Sequence, residues 1–245
     1  MRRSANETLL ADIPPGLQFE LGKETEMIYV IMCGGTYTVW ETPKQLALIN
    51  GEPIVARTIR QLKEVGVDPL DIYITSNDDR FHSFGVVCLN HKNDYTSVFG
   101  KISGYWLDAF YPKFNDDQKV TFIFGDVCFT EDAIRKIVSY DGGKNVLFGT
   151  GIAANELHKN WGEPFAYVVN DYKTFMEGVR DVKKMQDEGK LKRQGLVWEL
   201  YRHLNGLDVN VQQVLLNDTY FAIDDGTMDF DSPEKYERVR KDFET

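Results

Sequence analysis

Continuous apolar runs constrain the fold of this chain more than any other feature. Residues 27–32, 71–75 and 120–124 are dominated by large apolar side chains. A shorter run of the same kind occupies residues 146–148. Runs of this length are typical of strands that are buried on both faces, as the strands of parallel sheets are. The sequence therefore predicts a sheet whose strands lie inside the molecule.

Segments with helical periodicity lie between these runs. Residues 53–64 place apolar side chains along one face, and Gly66 follows as a stop signal. Residues 130–138 begin with Thr130, a capping residue, and two acids come next. Strands that alternate with helices form βαβ units. We therefore predict an α/β fold class with a mostly parallel central sheet.

The second half of the chain is less regular. Its patterns predict two strands, two internal helices and a terminal helix, at residues 166–169, 219–223, 172–188, 196–204 and 232–240. Residues 1–26 contain Pro14 and Pro15, which preclude a continuous helix. No linker or internal repeat separates the remainder. We predict an N-terminal extension over residues 1–26 and a single domain over residues 27–245.

Charge and cysteine content exclude several classes of protein. The formal net charge is −10, whereas nucleic-acid and anionic-membrane partners select for clustered Lys and Arg. No apolar run approaches the roughly 18–20 residues that a membrane span needs. Cys33, Cys88 and Cys128 have no metal-ligand spacing, so we expect buried thiols. We expect a cytoplasmic protein with no nucleic-acid or membrane partner. Whether it forms a homo-oligomer stays open.

A glycine pair directly follows the first apolar run. Gly34, Gly35 and Thr36 could turn several backbone N–H groups toward a phosphate, and Lys44 could add a positive charge. A tight turn with a surface lysine is the simpler alternative. Neither GxGxxG nor GxxxxGK[ST] is present, which disfavours dinucleotide-binding and Walker-type loops.

Two acids stand where a metal ion could bind. Asp126 follows the apolar run at residues 120–124, after Gly125. The carboxyl ends of parallel strands border the ligand crevice of open α/β sheets. Asp231 precedes Ser232 and Pro233, which begin the terminal helix. Two carboxylates that met at one Mg²⁺ would suit its preference for oxygen ligands. Asp126 alone could equally be a turn or capping residue, and for Asp231 alone a turn acid ahead of the helix cap is the simpler alternative.

Together these segments resemble a known family. Residues 27–81 are similar to the start of sugar-phosphate and alditol-phosphate nucleotidyltransferases: an apolar strand, a glycine turn, Pro-Lys and a "xLxxxGxPixxrtixxL" segment. The matching residues are Pro43-Lys44-Gln45, Gly51, Pro53 and Arg57-Thr58-Ile59. Gly125-Asp126-Val127 resembles the family's metal-binding strand end, and Asp229-Phe230-Asp231-Ser232-Pro233-Glu234 resembles its late "D-x-D-T-P-E-D" segment. The similarity covers residues 27–130 and, in outline, residues 219–240.

The resemblance implies a fold and a reaction. The fold would be the three-layer αβα, Rossmann-like, glycosyltransferase-A type, with residues 27–130 as the nucleotide-binding half and residues 131–245 as the acceptor-binding half. The enzyme would be Mg²⁺-dependent. It would transfer a nucleoside monophosphate from an NTP to a small phosphorylated acceptor, such as a sugar or polyol phosphate, and release pyrophosphate. Pro43-Lys44-Gln45 resembles cytidylyltransferases, which favours CTP or UTP.

The resemblance also implies roles for individual residues. Lys44, Asp126 and Asp231 would be catalytic, and the two aspartates would hold the metal ion. Nucleotide would be bound by Cys33, Gly34, Gly35, Thr36, Lys44, Ser76, Asn77, Asp78 and Gly125. Glu163 could line an acceptor pocket, as the second half of the family often does, and Lys192 and Arg193 could bind an anionic acceptor on the ground of their charge alone. The last two belong to the densest basic stretch of the chain, residues 190–195, for which a solvated helix end is the alternative.

One departure from the family pattern bears on catalysis. The family usually carries an arginine in the glycine loop, and Val39 occupies the corresponding region here. Arg80, Lys101 and Arg193 are candidates for a substitute cation. Two other functions stay open: a glycosyltransferase of the same fold, and a non-catalytic nucleotide-binding protein. The single acid at Asp126 counts against the first, and Val39 favours the second.

Overall fold

The predicted sheet is present. The computed structural model describes residues 27–34, 40, 42–90, 110, 114–151, 162–192, 197–211 and 218–243. The predicted extension at residues 1–26 lies outside this part of the chain. The strands are β1 Ile28–Met32, β2 Leu48–Ile49, β3 Glu52–Pro53, β4 Ile72–Thr75, β5 Val87–Leu89, β6 Val120–Phe124, β7 Val127–Cys128, β8 Val146–Thr150, β9 Pro164–Val169, β10 Tyr220–Ile223 and β11 Met228–Asp229. The helices are α1 Ile54–Glu64, α2 Glu131–Val138, α3 Tyr172–Asp187, α4 Val197–Leu204 and α5 Pro233–Phe243.

Seven strands form the central sheet in the order β10-β8-β9-β6-β1-β4-β5. Only β9 runs antiparallel to its neighbours β6 and β8, and the other pairings are parallel. All residues of β1 and β6 are buried. The predicted α/β class with a mostly parallel sheet is thus confirmed. The carboxyl ends of the six parallel strands, all but β9, lie at the same edge of the sheet.

Helices cover both faces of this sheet. On one face, Phe175 of α3 packs against Phe122 of β6 and Tyr167 of β9, with ring centroids 5.7 and 4.9 Å apart. Tyr167 pairs with Leu147 in β8, so the next residue, Phe148, points to the opposite face. There it contacts Tyr140, which follows α2. The molecule therefore has the predicted three layers. Across the described ranges, no helix combines the length and apolar character that a membrane crossing needs.

A short hairpin leads the chain into α1. Strands β2 and β3 are joined by Asn50 and Gly51, which both have positive φ, as a two-residue primed turn requires. A single 3₁₀ turn, Lys44–Leu46, precedes the hairpin. Gln45 in this turn is buried, which holds the backbone of Lys44 against the core. Lys44 is thus placed by packing on either side of it.

A second, two-stranded pairing joins distant parts of the chain. β7 pairs antiparallel with β11, with Val127 opposite Asp229. Phe230 follows β11 and is fully buried against Trp40 and Tyr236, at ring-centroid distances of 5.7 and 5.5 Å. Since side chains alternate along an extended chain, burial of Phe230 turns its two neighbouring residues to the other side. This pairing determines where the C-terminal acids lie.

Gly125 is required where β6 ends. A Cβ at this position would lie 2.6 Å from the carbonyl oxygen of Met32 and 2.8 Å from Sγ of Cys33. The Gly125 N–H also donates to that Met32 oxygen, at 3.1 Å. The turn into Asp126 therefore packs directly on the end of β1. This close approach needs a residue without a side chain.

Gly125→Ala should destabilise the protein by about 3 kcal/mol, because backbone atoms cannot move aside for the new methyl group as a flexible side chain could. Urea unfolding measures the loss of free energy. Gly226→Ala is the matched control, since its Cβ would meet only Thr130 Cγ2, at 3.7 Å. If both variants unfolded at the same urea concentration, the result would contradict the close approach of Gly125 to the end of β1.

Candidate active site

Lys44 lies between the two predicted metal-binding acids. Its Nζ is 2.5 Å from Oδ2 of Asp126 and 3.4 Å from Oδ1 of Asp231. Asp126 follows β6 at the carboxyl edge of the sheet, and Asp231 is brought there by the β7–β11 pairing. Three residues from separate parts of the chain therefore meet at one point, at the edge where open α/β sheets bind ligands.

The electrostatics of this cluster keep Lys44 charged. Burial alone would lower the pKa of the Lys44 ammonium, but attraction to Asp126, Asp231 and Asp229 outweighs it and raises the pKa. Burial alone would likewise raise the pKa of Asp231, but Lys44 and Lys235 hold it below its usual value. The pair is thus an ammonium and a carboxylate throughout the neutral range.

A second lysine lies on the far side of Asp231. Lys235, in the first turn of α5, has its Nζ 3.4 Å from Oδ2 of Asp231, 3.8 Å from Asp229 and 3.9 Å from Glu163. Glu163 immediately precedes β9 and is the predicted acceptor-binding acid. Burial opposes the charged form of Lys235, but these carboxylates raise its pKa. The site therefore combines four acids with two ammonium groups.

Asp229 is the most perturbed acid of the cluster. The pKa of its carboxyl is raised to about 8, mainly by burial and further by repulsion from Glu163, Asp231 and Asp126, while Lys235 opposes the rise. Its side chain is 12% exposed, which leaves little water to screen these charges. Without a further cation, the cluster therefore favours a protonated Asp229 near neutral pH.

This pKa predicts a pH-dependent stability. Between the ordinary aspartate pKa of 3.8 and about 8, folded Asp229 holds a proton that the unfolded chain releases. Stability should therefore fall as the pH rises through this window. Asp229→Asn should remove that dependence and stabilise the metal-free protein by several kcal/mol at pH 9, with little effect at pH 4, since each unit of pKa shift is worth about 1.4 kcal/mol. Thermal unfolding in EDTA across this range measures the difference.

The control for this prediction is Asp141→Asn, which removes an exposed aspartate from a loop outside the cluster. Its unfolding temperature should follow the wild type at every pH. A constant difference between Asp229→Asn and the wild type from pH 4 to pH 9 would contradict a raised pKa at Asp229.

The donor set suits a hard divalent cation. Within the ranges that the structure describes, no three His, Cys, Asp or Glu side chains form a ready-made metal site. Asp126 and Asp231 nevertheless converge on one cation, the Lys44 ammonium, and Mg²⁺ is commonly held by one or two carboxylates together with waters and substrate phosphates. The residues present therefore fit a magnesium ion that is completed by its substrate.

The predicted glycine loop is described only in part. Cys33 is buried at the end of β1, its N–H donates to the Thr75 carbonyl at 3.0 Å, and burial raises the pKa of its thiol well above the ordinary value. Cys128 is also buried, as expected, but Cys88 is only half-buried. Gly34 is described and half-buried, while Gly35, Thr36 and Val39 lie outside the described residues.

The second predicted nucleotide contact follows β4. Ser76 is buried and Asn77 is exposed. The carboxylate of Asp78 caps a 3₁₀ turn by accepting from Arg80 N–H at 3.0 Å, and it also pairs with the Arg80 guanidinium at 2.5 Å. Arg80, one candidate for the missing loop cation, is thus held by a neighbouring acid. Lys101, another candidate, lies outside the described residues.

The predicted acceptor-binding residues do not all lie at the cluster. Glu163 joins the cluster through Lys235. Lys192 is exposed, and its backbone N–H donates to Oδ1 of Asn210 at 2.7 Å. Among the described contacts, none joins Lys192 to the cluster, and Arg193 lies outside the described residues. The acceptor role of Lys192 and Arg193 stays a prediction.

Sequence reasoning missed Asp229 and Lys235 as members of the site. Both lie close to Asp231, two residues before it and four residues after it. The spacing to Lys235 is one turn of the terminal helix, so the lysine could have been placed beside the acid. Asp229 could have been found from alternation around the buried Phe230.

The architecture and the carboxyl-edge cluster define the class of fold, which is the three-layer, glycosyltransferase-A type fold of nucleotidyltransferases. The chain is similar to a Bacillus anthracis structure named as a glucose-1-phosphate thymidylyltransferase, with 14% identity, 89% of this chain and 95% of that chain covered, and a TM-score of 0.55. It is also similar to Rv0371c from Mycobacterium tuberculosis H37Rv, with 14% identity, 89% and 100% coverage, and a TM-score of 0.53. No protein-family model and no curated protein matches the sequence.

Proposed function

We propose that this protein is a Mg²⁺-dependent nucleotidyltransferase. It transfers a nucleoside monophosphate from an NTP, preferably CTP or UTP, to a small phosphorylated acceptor such as a sugar or polyol phosphate. The observation that carries the proposal is the position of Lys44, whose ammonium contacts both Asp126 and Asp231 at the carboxyl edge of the sheet. The similarity to nucleotidyltransferase folds supports it.

The proposed reaction is a single in-line displacement. A phosphate oxygen of the acceptor attacks the α-phosphorus of the NTP and forms a new P–O bond. The bond from that phosphorus to the oxygen bridging to the β-phosphate breaks, and pyrophosphate leaves with the electron pair. Such a step needs little covalent help from the protein, since positioning and charge neutralisation lower the barrier.

The chain's own residues divide this work. Lys44 would bind the triphosphate and offset charge that develops on the leaving group, because its raised pKa keeps it an ammonium. Asp126 and Asp231 would hold Mg²⁺, which neutralises phosphate charge when it is bound. Glu163 lies 3.9 Å from the Lys235 ammonium, where it could accept hydrogen bonds from acceptor hydroxyls.

The experiment is a pyrophosphate-release assay with the four NTPs, a panel of sugar and polyol phosphates, and Mg²⁺ or EDTA. The proposal expects release that requires an NTP, a phosphorylated acceptor and the metal ion together. Release of a nucleoside diphosphate from a nucleotide-sugar, measured in a parallel assay without an NTP, would favour the glycosyltransferase alternative. Thermal stabilisation by NTP without any turnover would favour the non-catalytic alternative, for which the missing loop arginine is the supporting observation.

A further inference from the structure

The two oxygens of Asp231 face two different lysines. Oδ1 lies 3.4 Å from Lys44 and Oδ2 lies 3.4 Å from Lys235. Beyond Lys44 stands Asp126, at the end of a strand in the predicted nucleotide half, and beyond Lys235 stands Glu163, in the predicted acceptor half. Asp231 therefore lies between two ammonium groups, with one carboxylate oxygen toward each.

The two lysines are held differently. Lys44 has one close partner, Asp126 at 2.5 Å, and its side chain is 18% exposed. Lys235 is shared among three carboxylates at 3.4 to 3.9 Å and is 37% exposed. Ion pairs at such distances are weak, and an ammonium on a flexible stem can turn toward a stronger partner. Lys235 can therefore reach an incoming anion at little cost.

A reaction between an NTP and a phosphorylated acceptor brings two separate phosphate groups to one metal site. The nucleophile is itself a phosphate oxygen, so two anions must approach each other before the bond forms. Among the described residues, Lys44 and Lys235 are the cations that contact Asp126, Asp229 or Asp231. One ammonium for each phosphate would offset the repulsion between them.

We propose that Lys235 binds the phosphate group of the acceptor, opposite Lys44 on the triphosphate. This inference rests on the proposed function, because it assigns the second substrate of that reaction to one of the two lysines. The family segment that residues 229–235 resemble ends in an acid, whereas this chain has Lys235 at that position. The lysine therefore predicts a preference for acceptors whose nucleophilic oxygen belongs to a phosphate group.

The test uses the full chain saturated with Mg²⁺ and the α,β-methylene analogue of CTP or UTP, whichever binds, so that the nucleotide phosphates are already in place. Inorganic phosphate is then titrated and its Kd is measured by calorimetry. Lys235→Ala and Lys235→Gln should weaken phosphate binding by about 10- to 100-fold, the effect of losing one charged hydrogen bond. Lys235→Arg should stay within about threefold of the wild type, since it keeps the charge.

Lys241→Ala is the matched control, because Lys241 lies on the same helix and is exposed. It should leave both the Kd of inorganic phosphate and the Kd of the nucleotide analogue unchanged. Normal phosphate binding by Lys235→Ala and Lys235→Gln, with the analogue bound, would overturn the inference and leave the proposed function standing. Equal loss of phosphate and analogue would also overturn it, because Lys235 would then support the whole site. A wild-type chain that bound no analogue would overturn the proposed function itself.

Discussion

Lys44→Met is expected to lower kcat/KM for the NTP by about 100- to 1,000-fold, the usual effect of removing one group that stabilises developing charge. Methionine keeps the unbranched stem of the side chain, so the buried packing beside Gln45 should survive. Since the pKa of Lys44 is raised, the lysine is charged throughout the neutral range, and the loss should not depend on pH between 6 and 9. Pyrophosphate release with saturating acceptor measures the effect.

Lys63→Met is the control for this prediction. Lys63 is an exposed residue in the last turn of α1, so its loss removes the same charge far from Asp126 and Asp231. Its kcat/KM should match the wild type. If Lys44→Met retained full activity, the ammonium between the two aspartates would be a structural counter-ion, and the proposed contact with the triphosphate would be wrong.

Asp126→Asn and Asp231→Asn should each lower kcat by about 1,000-fold. The double variant should be little worse than either single variant, because under the proposed function the two acids would act as one unit on one metal ion. An amide keeps the shape of the side chain but loses the charge that attracts Mg²⁺. Turnover across a Mg²⁺ titration measures both quantities. The apparent metal affinity of each single variant should fall together with its activity.

Asp132→Asn is the matched control for the acid pair, since Asp132 is an exposed aspartate in the first turn of α2. It should leave kcat and the Mg²⁺ dependence unchanged. Losses that multiplied in the double variant would argue against a shared metal ion. They would instead indicate two independent roles, such as charge pairing of Asp231 with Lys235.

Six of the seven strands of the central sheet could be predicted closely because their signal is local, whereas β5 was not predicted. β6 begins and ends where the apolar run predicts, and the cap of α2 is Thr130, whose hydroxyl accepts from Ala133 N–H at 3.0 Å. The position of Asp126 followed from the same signal, since it lies two residues after the end of a buried strand. The Asn50-Gly51 turn was also readable from its two residues, although the prediction did not use it.

Contacts inside the site could not be predicted in the same way. The pairing of β7 with β11 joins segments about a hundred residues apart, and no local pattern specifies which short strand finds which partner. Lys235 was therefore not expected beside Glu163. The raised pKa of Asp229 was also unpredictable, because it depends on burial and on three acids from distant segments.

The sequence by itself determined which segments are buried strands, and hence that Asp126 lies at the carboxyl edge of a parallel sheet. Apolar periodicity suffices for this, because burial of each strand is encoded in its own residues. The tertiary structure alone decided that Asp126 and Asp231 share one ammonium and that Asp231 separates Lys44 from Lys235. Charge interactions depend on distance and on exclusion of water, and both arise only when the β7–β11 pairing and the packing of Phe230 bring the segments together.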